Sequence, residues 1–259
     1  MADVETERRG SILILRINRP EARNALNPAV LRGIGEGIAG ADADPDVGAV
    51  IITGTGDRAF CAGMDLRGFA TRGSDTPSEE DLKGTAAYTA FIREGSAKPV
   101  IGAANATAVA GGFELLLACD MAVAAEDARF GLPEVKRALF PAGGGVFLSR
   151  RIPMAVAYEL TLTGETFDAQ RAYALGLVNR VVPREQVMDE AVALAESITA
   201  NGPLAVKAIK QLVKGAATLP PAEAWAMQAE MHPVVFGSED AKEGATAFIE
   251  RRAPKWQGR

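Results

Sequence analysis

The sequence predicts an α/β core followed by a region that is helical only. Short apolar, β-branched runs alternate with helix starts as far as about residue 185. From Val187 onward the strand-like runs stop, and three or four helices follow. These are punctuated by Asn201-Gly202-Pro203, Leu219-Pro220-Pro221 and Gly237-Ser238. No linker, low-complexity tract or repeat divides the chain. Residues 1–185 therefore read as one α/β core and 186–259 as its helical extension.

The elements follow in order. Residues 11–18, SILILRIN, read as a strand. Asn27 and Pro28 open a helix as N-cap and first helical residue, and Leu31, Ile34 and Ile38 then recur at helical spacing. Residues 47–53 form a buried-strand run that ends at Gly54-Thr55-Gly56. Ser78-Glu79-Glu80-Asp81 resembles a capping box, opening a helix toward Ala97 that Lys98-Pro99 stops. Residues 100–105 and 121–125 read as strands, with a short apolar helix, 113–119, opened between them by Gly111-Gly112. Asp168 caps a helix that ends at Gly176, and 178–182 is the next strand. Residues 67–76 have weak periodicity and read as a loop.

Composition excludes several kinds of chemistry. Lys and Arg total 28 against 33 Asp and Glu, a formal net charge of −5, which argues against a general nucleic-acid binder. Cys61 and Cys119 are too few for a disulfide framework or a four-thiolate zinc site. His232 is the sole histidine, which leaves little room for imidazole-based catalysis or for multi-histidine zinc sites. Acid–base work falls to carboxylates, Lys or Tyr. The polar start MADVETERRG is not a secretory leader, and no apolar run reaches the ~18 residues of a membrane span. The expectation is a cytoplasmic protein with no membrane partner.

Three segments carry the candidate chemistry. Residues 54–66, GTGDRAFCAGMDL, form a glycine-punctuated turn after a strand, without the third glycine of a dinucleotide fingerprint. Residues 108–120, AVAGGFELLLACD, place two glycines before an apolar helix that carries one acid, Glu114. Backbone N–H groups at such a start have no intrahelical partner and could hold a developing oxyanion. A buried carboxylate there costs several kcal/mol unless paired or protonated; the alternative is a surface Glu at the helix edge. Residues 130–145, FGLPEVKRALFPAGGG, set Glu134 after Pro133; taken alone, it reads as a loop acid that pairs with Lys136 or Arg137.

Together, AFCAGMDL, the GG-x-E helix, and FGLPE followed by a Pro and a glycine cluster resemble the crotonase, or enoyl-CoA hydratase/isomerase, superfamily. The likeness runs from INRPEARNALN at 17–27 to the end of the chain. It implies a spiral of ββα turns with a C-terminal helical trimerisation region, assembled as a homotrimer or homohexamer. It implies an acyl-CoA thioester substrate in lipid metabolism, with no metal and no separate cofactor, CoA being part of the substrate. By resemblance, Met64 and Gly111 donate backbone N–H groups to the thioester oxygen, and Glu114 and Glu134 are the catalytic acids. Arg23, Ala25, Ala62, Asp65, Leu66 and Arg67 match CoA-contacting positions.

Arg251, Arg252, Lys255 and Arg259 make a local basic excess. It reads either as a CoA-phosphate contact through Arg251 and Lys255 or as cations favoured at a helix C-terminus. His232 and Asp120 read as structural, and the cysteines as small buried residues. Two departures stand out: Ala110 where many hydratases have glycine, and Ala142 in the Pro141-Ala142-Gly143 turn, expected near Glu134 and the acyl group. Both glutamates together imply an enoyl-CoA hydratase. Carnitinyl-CoA dehydratase and enoyl-CoA isomerase are the alternatives within the family, and a non-catalytic acyl-CoA-binding protein the alternative outside catalysis.

Overall fold

The computed structural model describes residues 2–65 and 79–259. Among these, strands β1 (Val4–Arg9), β2 (Ile12–Ile17), β3 (Ala49–Gly54), β4 (Val100–Ala104), β6 (Met121–Ala125) and β9 (Arg180–Val182) form one six-stranded sheet in that order. The β1–β2 pair is antiparallel and every later neighbour is parallel. β3 and β4 are buried at every position. Parallel strands covered on both faces read as unbroken apolar runs, which is how AVIITG and VIGAA appear. The expected strands at 11–18, 47–53, 100–105 and 121–125 are all present, and the one expected at 178–182 is confined to β9.

β1 escaped the sequence reading. It is an edge strand with five of its six residues exposed, so VETERR shows no alternation. Polar, charged side chains are what an unpaired edge requires.

Helix α1 (Pro28–Ala43) starts as expected: the Asn27 side chain accepts from the Val30 N–H at 2.8 Å. It buries Val30, Ile34 and Ile38, each worth roughly 1.5–3 kcal/mol of apolar burial. Helix α2 (Glu79–Glu94) packs on α1 and stops three residues short of Ala97. The Asp42 carboxylate takes the Ser96 hydroxyl and the Ala97 and Lys98 N–H groups, which ends the helix. Ser78 of the proposed capping box and the 67–76 loop lie outside the described residues.

A second, three-stranded sheet joins β5 (Ala108–Val109), β7 (Arg129–Gly131) and β8 (Phe167–Asp168). Between β5 and β6 lies α3 (Gly111–Ala118). Phe113 of α3, Phe130 of β7 and Phe167 of β8 form a buried ring cluster with centroids 5.7–6.1 Å apart. That cluster fixes the helix one residue away from Glu114. Beyond it come α4 (Met154–Thr163) and α5 (Ala169–Ala174), the latter capped by Asp168 as expected.

Four helices close the chain: α6 (Val187–Thr199), α7 (Pro203–Thr218), α8 (Pro221–Phe236) and α9 (Glu239–Glu250). α6 lies on β3, β4 and β6 and buries Val187, Ala191 and Ala195. The change in packing therefore falls after α6, whereas the change in sequence character falls before it. α8 has no buried residue. The tail is fastened by Asp240, whose carboxylate accepts the Gln257 and Gly258 N–H groups at 2.6 and 2.9 Å. Among the described residues no helix is long and apolar enough to cross a membrane.

Candidate active site

Two backbone segments and two carboxylates meet in front of α3. Residues 23–26 run beside 61–65: Ala62 N–H donates to Arg23 O (3.1 Å), Leu26 N–H to Gly63 O (2.8 Å) and Asp65 N–H to Leu26 O (3.0 Å). Arg23 and Asn24 both hold left-handed φ, +53° and +54°. Asn24 is fully buried and makes this conformation possible by local bonding. Its amide donates to Thr55 O and Ala59 O at 2.9 and 2.7 Å, and its oxygen accepts the Arg19 N–H. Arg19 ties the two segments together, donating to Ala25 O at 2.7 Å and pairing with Asp65 at 3.2 Å. In this pairing the Met64 N–H has no acceptor among the described residues.

The second donor comes from the start of α3. Ala110 holds φ +52° and its carbonyl accepts from Phe113 and Glu114, which turns the chain into the helix. The Gly111 N–H is then the first helical donor and has no acceptor among the described residues. A Cβ built on Gly111 would stand 3.7 Å from Met64 N, so the two amides are neighbours. The positive end of the helix dipole adds to them.

Glu114 is 6 % exposed, settling the choice between core and surface in favour of the core. Its Oε1 accepts the Gly145 N–H at 2.7 Å. Burial raises its carboxyl above the ordinary value, and the Gly145 and Gly143 N–H groups oppose that rise. A Cβ at Gly143 would lie 2.8 Å from Glu114 Oε2. The 143–145 turn is thus a cradle for Glu114. Gly143→Ala is expected to keep the fold and to lower kcat by about 10²-fold through a displaced carboxyl, read by steady-state kinetics beside circular dichroism. A wild-type kcat would remove the cradle from the mechanism.

Glu134 sits in a 3-10 turn, Pro133–Arg137. Its Oε2 is buried without a hydrogen-bond partner among the described residues. Burial raises its carboxyl most, the neighbouring Glu114 raises it further, and its own N–H and Arg137 pull it back. Lys136 is committed to Glu165 at 2.6 Å, and Arg137 donates to Pro133 O. A loop acid neutralised by its neighbours is therefore not what the structure contains. An orphaned buried carboxylate oxygen costs ~1–3 kcal/mol, a cost that a substrate-facing acid incurs by function.

Glu114 opens onto a cavity of about 290 Å³ walled by Ile92, Arg93, Leu117, Phe147, Arg150 and Arg151. Both thiols are buried; burial pushes Cys61 up to about 12 and Cys119 upward as well, so neither is a ready nucleophile. Asp120 is structural, accepting the Val100 N–H and Lys210. His232 stacks on Phe236 at 4.1 Å. Of the basic tail, Arg252 is held by Glu243 and Glu250, and Arg251 caps α9. No hydrogen bond or ion pair among the described residues joins Arg251 or Lys255 to either glutamate or to the two amides. Leu66 and Arg67 lie outside the described residues. Sequence reasoning missed Arg19, Asn24 and the arginines of the cavity; Arg19 and Asn24 both lie inside the quoted INRPEARNALN, but neither was singled out there.

Adjacent amides without acceptors among the described residues, one on the helix that carries Glu114 and with Glu134 close enough to feel the Glu114 charge, suit chemistry beside a carbonyl, where charge develops on oxygen and protons move at carbon. A sequence model of the family described as enoyl-CoA hydratase/isomerase matches residues 7–259, and the chain belongs to that family. Enoyl-CoA hydratase EchA19 of Mycobacterium tuberculosis is 41% identical over 259 residues, covering 99% of this chain and 97% of that one. A carnitinyl-CoA dehydratase of Proteus mirabilis is 39% identical over 256 residues, covering 97% of each. A crystal structure of an enoyl-CoA hydratase from Mycobacterium tuberculosis H37Rv superposes with a TM-score of 0.91 at 47% identity, covering 100% of both chains. The crotonase-like core expected from sequence is thus the fold observed.

Proposed function

We propose that this protein is an enoyl-CoA hydratase, adding water across the 2,3 double bond of an enoyl-CoA thioester. The observation that carries this reading is the carboxyl pair, buried Glu114 bonded to Gly145 and half-buried Glu134 with an unpartnered Oε2, together with the Met64 and Gly111 amides. The thioester oxygen accepts from both amides. Glu114 takes a proton from water as the hydroxyl adds to Cβ, electron density moves to the thioester oxygen, and Glu134 gives its proton to Cα. The product is a 3-hydroxyacyl-CoA. Each preorganised donor contributes about 3–4 kcal/mol to holding the developing charge. No metal or further cofactor enters the reaction.

The CoA moiety runs along Arg23, Ala25, Ala62, Asp65, Leu66 and Arg67, with Arg251 and Lys255 available to its phosphates. The protein works in the cytoplasm, in lipid metabolism, as a homotrimer or homohexamer. Support for assembly comes from α8 and α9, which leave Trp225, Val234, Phe236, Phe248 and Ile249 exposed. Truncation after Gly237 is expected to reduce both assembled mass in light scattering and Tm; a monomeric, active full-length protein would contradict the assembly. The 39% identical dehydratase keeps carnitinyl-CoA dehydration as the second reading. Loss of the conjugated-enoyl absorbance of crotonyl-CoA tests the first, and no loss at enzyme saturation rejects it.

A further inference from the structure

The cavity beside Glu114 carries more positive charge than hydration of a plain alkyl chain requires. Ile92, Leu117, Ala118 and Leu148 give it an apolar wall, and Arg93, Arg150 and Arg151 line it as well. None of the three arginines has a carboxylate within ion-pair distance among the described residues, unlike Arg8, Arg19, Arg171, Arg180, Arg184 and Arg252 but like Arg23, Arg58, Arg129 and Arg137 elsewhere; these three share one cavity. Arg150 lies over the Phe147 ring at 4.9 Å, and Arg151 uses one nitrogen on Leu117 O at 2.9 Å. Each keeps further donors for another acceptor. Glu114 is the single acid on this wall and is already bonded to Gly145.

The same wall continues outward. A second cavity of about 840 Å³ shares Ile92, Arg93, Leu117, Ala118 and Arg151 and adds Lys210, Lys214, Glu94 and Asp120. Asp120 is held by Lys210 at 2.6 Å, and Lys214 is bonded to the Glu94 carbonyl. The path from Glu114 therefore leads past apolar side chains to guanidinium groups. Glu114 lines the inner cavity only, and the outer one continues past Arg93 and Arg151 without it. An acyl chain with its reacting carbons at Glu114 and its far end in the outer cavity would run past these guanidinium groups.

Resting on the acyl-CoA reading above, we propose that the preferred substrates are enoyl-CoA thioesters with a free carboxylate at the far end of the acyl chain. Arg93, Arg150 and Arg151 supply the subsite for that carboxylate. Guanidinium forks match carboxylate geometry and form the stronger, charge-assisted class of hydrogen bond. A trimethylammonium group, as in a carnitinyl chain, would meet like charge in the same place.

The test is binding, so that it stands whether or not hydration is observed. Dissociation constants for the full-length protein are measured by calorimetry with the unreactive thioesters adipyl mono-CoA, hexanoyl-CoA and 4-trimethylammoniobutanoyl-CoA. Adipyl mono-CoA is expected to bind at least about tenfold tighter than hexanoyl-CoA, and the cationic ester weakest. The advantage should shrink as salt rises, since it is electrostatic. Arg93→Gln and Arg150→Gln, both at exposed positions, should each reduce the adipyl-to-hexanoyl ratio in protein with native circular dichroism. Equal or weaker binding of adipyl mono-CoA, or a ratio unchanged in both variants, overturns the proposal. Failure to hydrate crotonyl-CoA with the binding preference intact overturns the hydratase reading instead.

Discussion

Gly111→Val is expected to abolish turnover in a protein that still folds. The Cβ at this position meets Leu26 Cδ1 at 3.1 Å, Gly63 Cα at 3.6 Å and Met64 N at 3.7 Å. The first contact is tight but ends on a flexible side chain, so the fold can accept it. A Val side chain would then stand beside the second amide and bar the thioester from it. Losing one such donor costs about 10²–10³ in kcat, and obstruction of both costs more. Met64→Leu should keep substantial activity, because the role proposed for Met64 belongs to its backbone N–H and the residue is 46% exposed. Kinetics on both variants, with circular dichroism as the check on folding, decides the matter. Normal turnover by Gly111→Val would reduce the glycine pair to a tight turn.

Glu134→Gln is expected to retain acyl-CoA binding and lose about 10²–10⁴ in kcat, the range of general acid–base catalysis. The amide keeps the shape of the acid but has no proton to give Cα. The pH profile carries a sign. Burial and the Glu114 charge hold the Glu134 carboxyl above its ordinary value of 4.5. As the proton donor, it must be protonated, so hydration falls as pH rises through that raised value. The variant's residual rate should lack this limb. A variant with more than about a tenth of wild-type kcat, or one with the limb unchanged, sinks the assignment of Glu134.

The sheet was legible because its inner strands are covered on both faces, which leaves uninterrupted apolar runs such as AVIITG. β5 and β8 have two residues each, too few for any period to show. α4 was missed for a different reason. Met154, Tyr158 and Leu162 are exposed while Ala157 and Leu160 are buried, so its apolar residues mark no single face. Glu114 announced itself as a lone acid in an apolar helix. Its cradle did not, because Gly145 and Glu114 are 31 residues apart and nothing local relates them. Asn24 and Arg19 act by bonding backbone carbonyls of other segments, a role with no residue pattern of its own.

Ala110 gives the two segments proposed to hold the oxyanion a property that hydrogen bonds alone would not. Its φ of +52° is a conformation that costs an alanine of order 1–3 kcal/mol. Its methyl group also fills the space that a Cβ at Gly63 would need, at 2.7 Å. Gly63, the residue before Met64, can therefore lie against the start of the Gly111 helix at a distance that a side chain would forbid, with the Ala110 methyl between the two segments. Repulsion at such distances climbs far more steeply than a hydrogen bond weakens on stretching. A spacer of this kind tolerates thermal motion outward but almost none inward. The Ala110 methyl is thus placed to resist the closing of the two amides onto one another when no substrate lies between them.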